Sequence, residues 1–316
     1  MKNAAAALLA LGLGLAGAAV AAADPLDAKL PAQAWTKTIG SIQVQKYGAG
    51  SPALVLVAGL GCGAWSWRDT IGREASAHAV YTVTLAGFDG VPAGDGATLD
   101  GAEASIAMLM TSEHLDRPVL VGHSLGGTLT LRFGLDHPDL VRGIVAVDGA
   151  PVMPQLAMAT PEQRAAAATE FYTTVTSATP EAYAKLETQF TDDYVTDRTL
   201  AAKVSTLVLR SDQKAVAEYG KELYQLDLRP QLSKLSVPAA EIAPIPGLPL
   251  PTYLPAFMAA MSPADRRGAT LSFYQSLFAN APAVKIIPVD DSRHFVMLDQ
   301  PAAFAAALDG FVATLK

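Results

Sequence analysis

The chain has 316 residues, 51% of them apolar, enough for one large buried core with room for an inserted segment. A net charge of −7 with no run of Lys or Arg excludes nucleic acid as a partner, because phosphate contacts need a positive patch. The single cysteine, Cys62, excludes an internal disulfide and a cysteine-based zinc site, and the five histidines, His78, His114, His123, His137 and His294, lack metal-ligand spacing, so neither metal nor other cofactor is expected.

Residues 1–23 begin with one Lys, continue as an apolar Ala/Leu/Gly run and end in small residues at Ala21 and Ala23. That pattern is a secretory signal peptide with an A-x-A cleavage site after Ala23, which implies a periplasmic or secreted protein. The run holds three glycines and is barely long enough to cross a bilayer, so no stable membrane span is expected. Residues 24–316 read as one domain. "SIQVQKYG" (41–48) alternates like an edge strand, whereas "ALVLVAG" (53–59) and "VYTVTLAG" (80–87) read as buried strands. Residues 101–113 set Ile106, Leu109 and Met110 on one helical face. "RPVLVGHS" (117–124) is a further buried strand, 125–136 a helix stopped by Pro138, and "VRGIVAVDG" (141–149) the next strand.

From 151 to 235 the alternation breaks. "TPEQ", with Thr160 as cap and Pro161 in the first turn, and "TPEAYAKL" open helices, and only "STLVLR" (205–210) could be a strand. The stretch is read as a helical cap over the edge of the sheet. Two more strands, "SVPAAEIAPI" (236–245) and "AVKIIPVDD" (283–291), flank a loop with five prolines and a helix starting at Ser262-Pro263, with Asp265 placed for a capping box. The last helix carries Phe304, Leu308, Phe311 and Leu315 on one face. Strands alternating with helices imply an α/β fold, a mostly parallel sheet covered on both faces.

The chemistry concentrates in "VGHSLGGT" (121–128). A serine on a tight strand-to-helix turn sits in strained backbone, and side chains two residues to either side would collide, so Gly122 and Gly126 flank Ser124. The following helix aims its N-terminus at the reaction site, making the Leu125 N–H one donor for a developing oxyanion. A nucleophilic serine needs a base, and His294, between the last strand and the last helix, is the candidate. His123 should point away from the hydroxyl, and His137 at a helix end reads as structural.

"GHSLGG" and "SRHFVMLDQP" resemble the serine and histidine loops of the α/β-hydrolase superfamily, esterase- and lipase-like serine hydrolases with helical caps. The resemblance runs from "LVLVAGLG" to the last helix, and "DLRPQLSKLSVP" is similar to the end of such a cap. It implies that the Leu60 N–H, in the loop after the first buried strand, is the second oxyanion donor, although that loop reads Ala58-Gly59-Leu60 instead of the usual His-Gly-x. The superfamily's usual acid follows the strand at 236–245, yet 243–261 contains no Asp or Glu. Asp148, at the end of "GIVAVDG", is the substitute the resemblance favours, with Asp290, Asp291, Asp265 and Asp227 as alternatives. Cys62 reads as a packing residue, and Trp65 and Trp67 as packing for the following helix. The expected activity is hydrolysis of small or medium hydrophobic carboxylic esters through an acyl-enzyme, with Met153, Met158 and Tyr172 in the pocket. Lactone, amide, thioester or perhydrolase chemistry shares the machinery, and a non-catalytic binding protein is the other alternative.

Overall fold

A computed structural model describes residues 24–252, 254 and 256–315; the expected signal peptide at 1–23 lies outside them. Eight strands form one sheet: β1 (Gln33–Ile39), β2 (Ile42–Tyr47), β3 (Leu54–Val57), β4 (Val80–Thr84), β5 (Val119–His123), β6 (Gly143–Val147), β7 (Ala239–Ile245) and β8 (Lys285–Asp290). Their order is β1-β2-β4-β3-β5-β6-β7-β8. β2 pairs antiparallel with both β1 and β4, and every pairing from β4 through β8 is parallel. The helices are α1 (Arg68–Glu74), α2 (Leu99–Ser112), α3 (Leu125–Asp136), α4 (Pro161–Ser177), α5 (Pro180–Tyr194), α6 (Arg198–Val208), α7 (Gln213–Gln225), α8 (Pro263–Leu277), α9 (Val296–Asp299) and α10 (Pro301–Val312).

The central strands β3 to β6 are buried throughout, as parallel strands with helices on both faces must be. Side chains alternate between the faces with a period of two. Val55, Val57, Leu120 and Ile144 join Ile106, Leu109, Leu129 and Phe133 of α2 and α3 in one core. Leu54, Leu56, Val119, Val121 and Val145 join Trp67, Ile71, Phe304, Leu308 and Phe311 in the other. Each such fully buried side chain stabilises the fold by roughly 1.5–3 kcal/mol before entropy is counted.

Three details differ from the sequence reading. Residues 41–48, expected at the edge of the sheet, form β2, which lies between β1 and β4. β1 escapes that reading because its residues are mostly exposed, so no apolar alternation marks it. A two-residue turn joins it to β2, with Gly40 at φ 57; a Cβ there would lie 2.3 Å from Ser105 Oγ. "STLVLR" is not a strand: Ser205–Val208 close α6, whose buried Leu200, Val204 and Val208 repeat with helical spacing. Between β6 and β7 stand the four helices α4 to α7, joined to the preceding loop by the bridge between Val152 and Asp227. Thr160 and Gln163 form the capping box of α4, Thr179 caps α5, and Ser262 caps α8 by accepting from the Asp265 N–H.

Candidate active site

Ser124 joins β5 to α3 at φ 54 and ψ −121, a left-handed conformation that a serine adopts only under constraint. The constraint is visible at the flanking glycines. A Cβ on Gly122 would lie 2.0 Å from the Gly126 carbonyl oxygen, and one on Gly126 would lie 2.5 and 2.6 Å from the carbonyl oxygens of Val57 and Ala58. The same crowding brings the loop after β3 against the serine: a Cβ on Gly59 would meet Ser124 Cβ at 3.2 Å. Leu60 and Leu125 thus flank the serine, and both line the cavity above it. The Leu125 N–H is at the first position of α3, where no intrahelical acceptor exists.

His294 follows β8 and faces the same cavity as Ser124. Its Nδ1 is 2.5 Å from Asp148 Oδ2. With the Nδ1 proton donated to Asp148, Nε2 carries the lone pair of the imidazole. Asp148 ends β6 at φ 46, with its N–H bonded to the Ile242 carbonyl at 3.1 Å. The structure therefore brings Asp148 to the imidazole and leaves the alternatives elsewhere. Asp290 pairs with Arg267 at 2.8 Å, Asp227 pairs with Arg229 at 2.7 Å, Asp265 accepts the hydroxyl of Ser262 at the start of α8, and the Asp291 carboxylate lies against Gly247.

Two partners of Asp148 were not legible beforehand. The Tyr274 hydroxyl, on α8, donates to Asp148 Oδ1. Glu241, fully buried on β7, accepts the Gly149 N–H at 3.3 Å. Burial first, and the neighbouring Asp148 charge second, push the Glu241 carboxyl well above the usual carboxylate range. His123 is also fully buried; burial, then His294, holds it well below the usual histidine range. Neutral His123 has Nε2 3.0 Å from the His294 carbonyl oxygen, supporting the histidine loop. His137 stands apart at the end of α3, 3.7 Å from Glu103.

Arg293 clamps that loop to the cap helices. Its buried guanidinium donates to the carbonyls of Asp192 (2.9 Å), Asp193 (3.4 Å) and Val195 (3.3 Å) at the C-terminal end of α5, and to that of Pro249 (2.8 Å). Asp299 completes the joint by accepting the N–H groups of Arg293 and Thr196, at 2.7 and 2.8 Å.

The cavity measures about 480 Å³ and is mostly apolar. Met153 lines it as expected, but Met158 does not, being 95% exposed, and Tyr172 instead bonds Glu218 on the outer side of the cap. Cys62 is buried in its wall, where burial pushes the thiol up and away from nucleophilic chemistry. Trp67 packs on Phe304 and Trp65 on Phe295, both outside the cavity lining. Among the described residues no group of His, Cys, Asp and Glu is arranged to hold a metal.

A sheet of this order with a left-handed serine between β5 and α3 defines an α/β fold of the nucleophile-elbow class. The sequence pattern described as the "Alpha/beta hydrolase family" matches residues 54–307, and the chain belongs to that family. The pimeloyl-[acyl-carrier protein] methyl ester esterase of Edwardsiella ictaluri is 29% identical over 268 residues, covering 84% of this chain and 94% of that protein. RutD of Yersinia enterocolitica is 36% identical over 112 residues, which is 34% of this chain and only 40% of RutD. Among solved structures, the enol-lactonase of Burkholderia xenovorans is similar with a TM-score of 0.68 at 17% identity, covering 88% of this chain and all of that one. A thermophilic esterase of Thermogutta terrifontis gives 0.66 at 17% identity, covering 89% and 99%.

Proposed function

We propose that the protein is an exported serine hydrolase that cleaves carboxylic esters through Ser124, His294 and Asp148. One arrangement supports this above all: the strained serine and an imidazole held by a carboxylate at 2.5 Å border one apolar cavity. The Ser124 hydroxyl attacks the ester carbonyl carbon while His294 Nε2 takes its proton. The N–H groups of Leu60 and Leu125 hold the oxyanion of the tetrahedral adduct. Collapse breaks the bond to the alcohol, which leaves with the proton from His294. Water, losing a proton to His294, then attacks the acyl-serine, and collapse frees the carboxylic acid and returns the proton to Ser124. Asp148 holds the imidazole in its working tautomer and balances its charge when protonated.

Family membership and the esterase named among its relatives favour this chemistry. The apolar lining favours small or medium hydrophobic acyl groups. The test is hydrolysis of p-nitrophenyl esters of increasing chain length. Turnover is expected in the wild type and a loss of roughly 10³-fold or more in Ser124→Ala. No turnover on any ester, together with no labelling of Ser124 by an activated phosphonate, would leave a binding protein on this fold. Export after cleavage at Ala23 predicts that the protein recovered from the periplasm or medium starts at Asp24, which N-terminal sequencing reads directly.

A further inference from the structure

α5 lines the cavity with six side chains, and four of them, Tyr183, Glu187, Phe190 and Tyr194, form one stripe at spacings of four, three and four. Three of the four are aromatic, as a helix face over an apolar pocket requires. The fourth is a carboxylic acid. No Lys, Arg or His among the described residues pairs with it. Burial holds its carboxyl above the usual carboxylate range, with the neighbouring Tyr183 hydroxyl acting the other way. A carboxyl in an apolar wall is costly unless a charge partner arrives. The same cavity is lined by the rings of Tyr183, Tyr194 and Tyr224, the last stacked on Phe171 at 4.8 Å. Tyr194 also ties this region to the chemistry, its ring centre 4.6 Å from that of His294.

We propose that Glu187, with the aromatic rings around it, makes the cavity selective for esters that carry an ammonium group. A carboxylate beside the faces of several aromatic rings attracts an alkylated cation, by charge and by the ring quadrupoles, while the ring surfaces receive its methyl groups. A neutral ester of the same shape finds the rings but leaves the carboxyl without a charge partner. The assignment rests on ester hydrolysis at Ser124, and the experiment separates the two. Butyrylcholine is compared with 3,3-dimethylbutyl butyrate, its uncharged isostere, and the p-nitrophenyl ester of 4-(trimethylammonio)butyrate with that of 5,5-dimethylhexanoate. These pairs set the cation on the alcohol or on the acyl side. In the wild type, kcat/KM for the cationic member of at least one pair should exceed that of its isostere about tenfold, a modest value for a desolvated cation. The ratio should fall close to one in Glu187→Gln and persist in Glu187→Asp. Equal rates within both pairs in the wild type, a comparison that needs no variant, or a ratio that survives Glu187→Gln, overturns the proposal. Calorimetric binding of phenyltrimethylammonium covers failure of the ester reading. If no ester is cleaved but the cation binds, and Glu187→Gln abolishes binding, the cation site stands and the ester chemistry falls. If the cation does not bind and no ester is cleaved, both fall.

Discussion

Both oxygens of Asp148 are engaged, one by His294 Nδ1 and the other by the Tyr274 hydroxyl. The two bonds differ in role: the first fixes the imidazole, the second only steadies the carboxylate. Asp148→Asn is therefore expected to lower kcat by about 10⁴, and Tyr274→Phe only about tenfold, the scale of one hydrogen bond to a charged group. Steady-state rates on p-nitrophenyl butyrate measure both, and equal losses would show that the tyrosine does more than steady Asp148. Ser124 and His294 were legible because their signals are local, a five-residue turn and a histidine between a strand and a helix. Asp148 stood out only through the family resemblance, as the acid at a strand end next to α3 when the loop after β7 holds none, and four other acids stayed open beside it. Tyr274 and Glu241 were not legible, since each meets the Asp148 turn only through the tertiary fold, across 126 and 92 residues of sequence. Glu187 was missed for another reason: an acid on a cap helix reads as a solvated residue until the helix is docked.

Elements carry strain and charge that single residues do not. The turn between β5 and α3 works only with glycine at 122 and 126, so Gly126→Ala should push the loop bearing Leu60 away from Ser124. A drop of roughly 10²-fold in kcat is expected with a lower Tm. Gly268→Ala in α8, where a Cβ meets nothing within 4 Å, should be neutral or stabilising by up to about 1 kcal/mol. α1 and α10 meet through a carboxyl pair, Glu74 and Asp309. Burial first, and Asp309 second, push Glu74 up to about 7. Its folded-state pKa thus exceeds the ordinary value, the folded protein binds the extra proton, and stability should fall as pH rises from about 4.5 to about 7. Glu74→Gln should flatten that decline in urea melts taken across the range, and an unchanged slope would contradict the assignment. The sequence announced the buried strands and the caps of α4, α5 and α8 because apolar runs and Thr-Pro or Ser-Pro starts are unambiguous. It concealed β1, the edge strand, which pairs with β2 alone and is mostly exposed. It left α6 open, because "STLVLR" is apolar enough for either state and only its packing against the second core decides.

At the scale of the whole molecule, the sequence marked the cap as a break in the βα alternation and an apolar pocket with it, but of the three residues expected there only Met153 lines the cavity, whose walls come from loops and helices far apart in the chain. The joint between Arg293 and the end of α5 makes the cap part of the catalytic side of the protein. Arg293→Met should free the carbonyls of Asp192, Asp193 and Val195, raise proteolysis near 192–198 and lower kcat/KM without touching Ser124; limited digestion beside kinetics tests it. The clamp also restricts how this enzyme can diversify. A cap fastened beside His294 cannot be traded among relatives as a free module. A graft that replaces α5 without Arg293, Asp299 and the Thr196 turn would leave His294 loosely held, so new specificities should arise by changing side chains on the cap's inner faces and not by exchanging the cap.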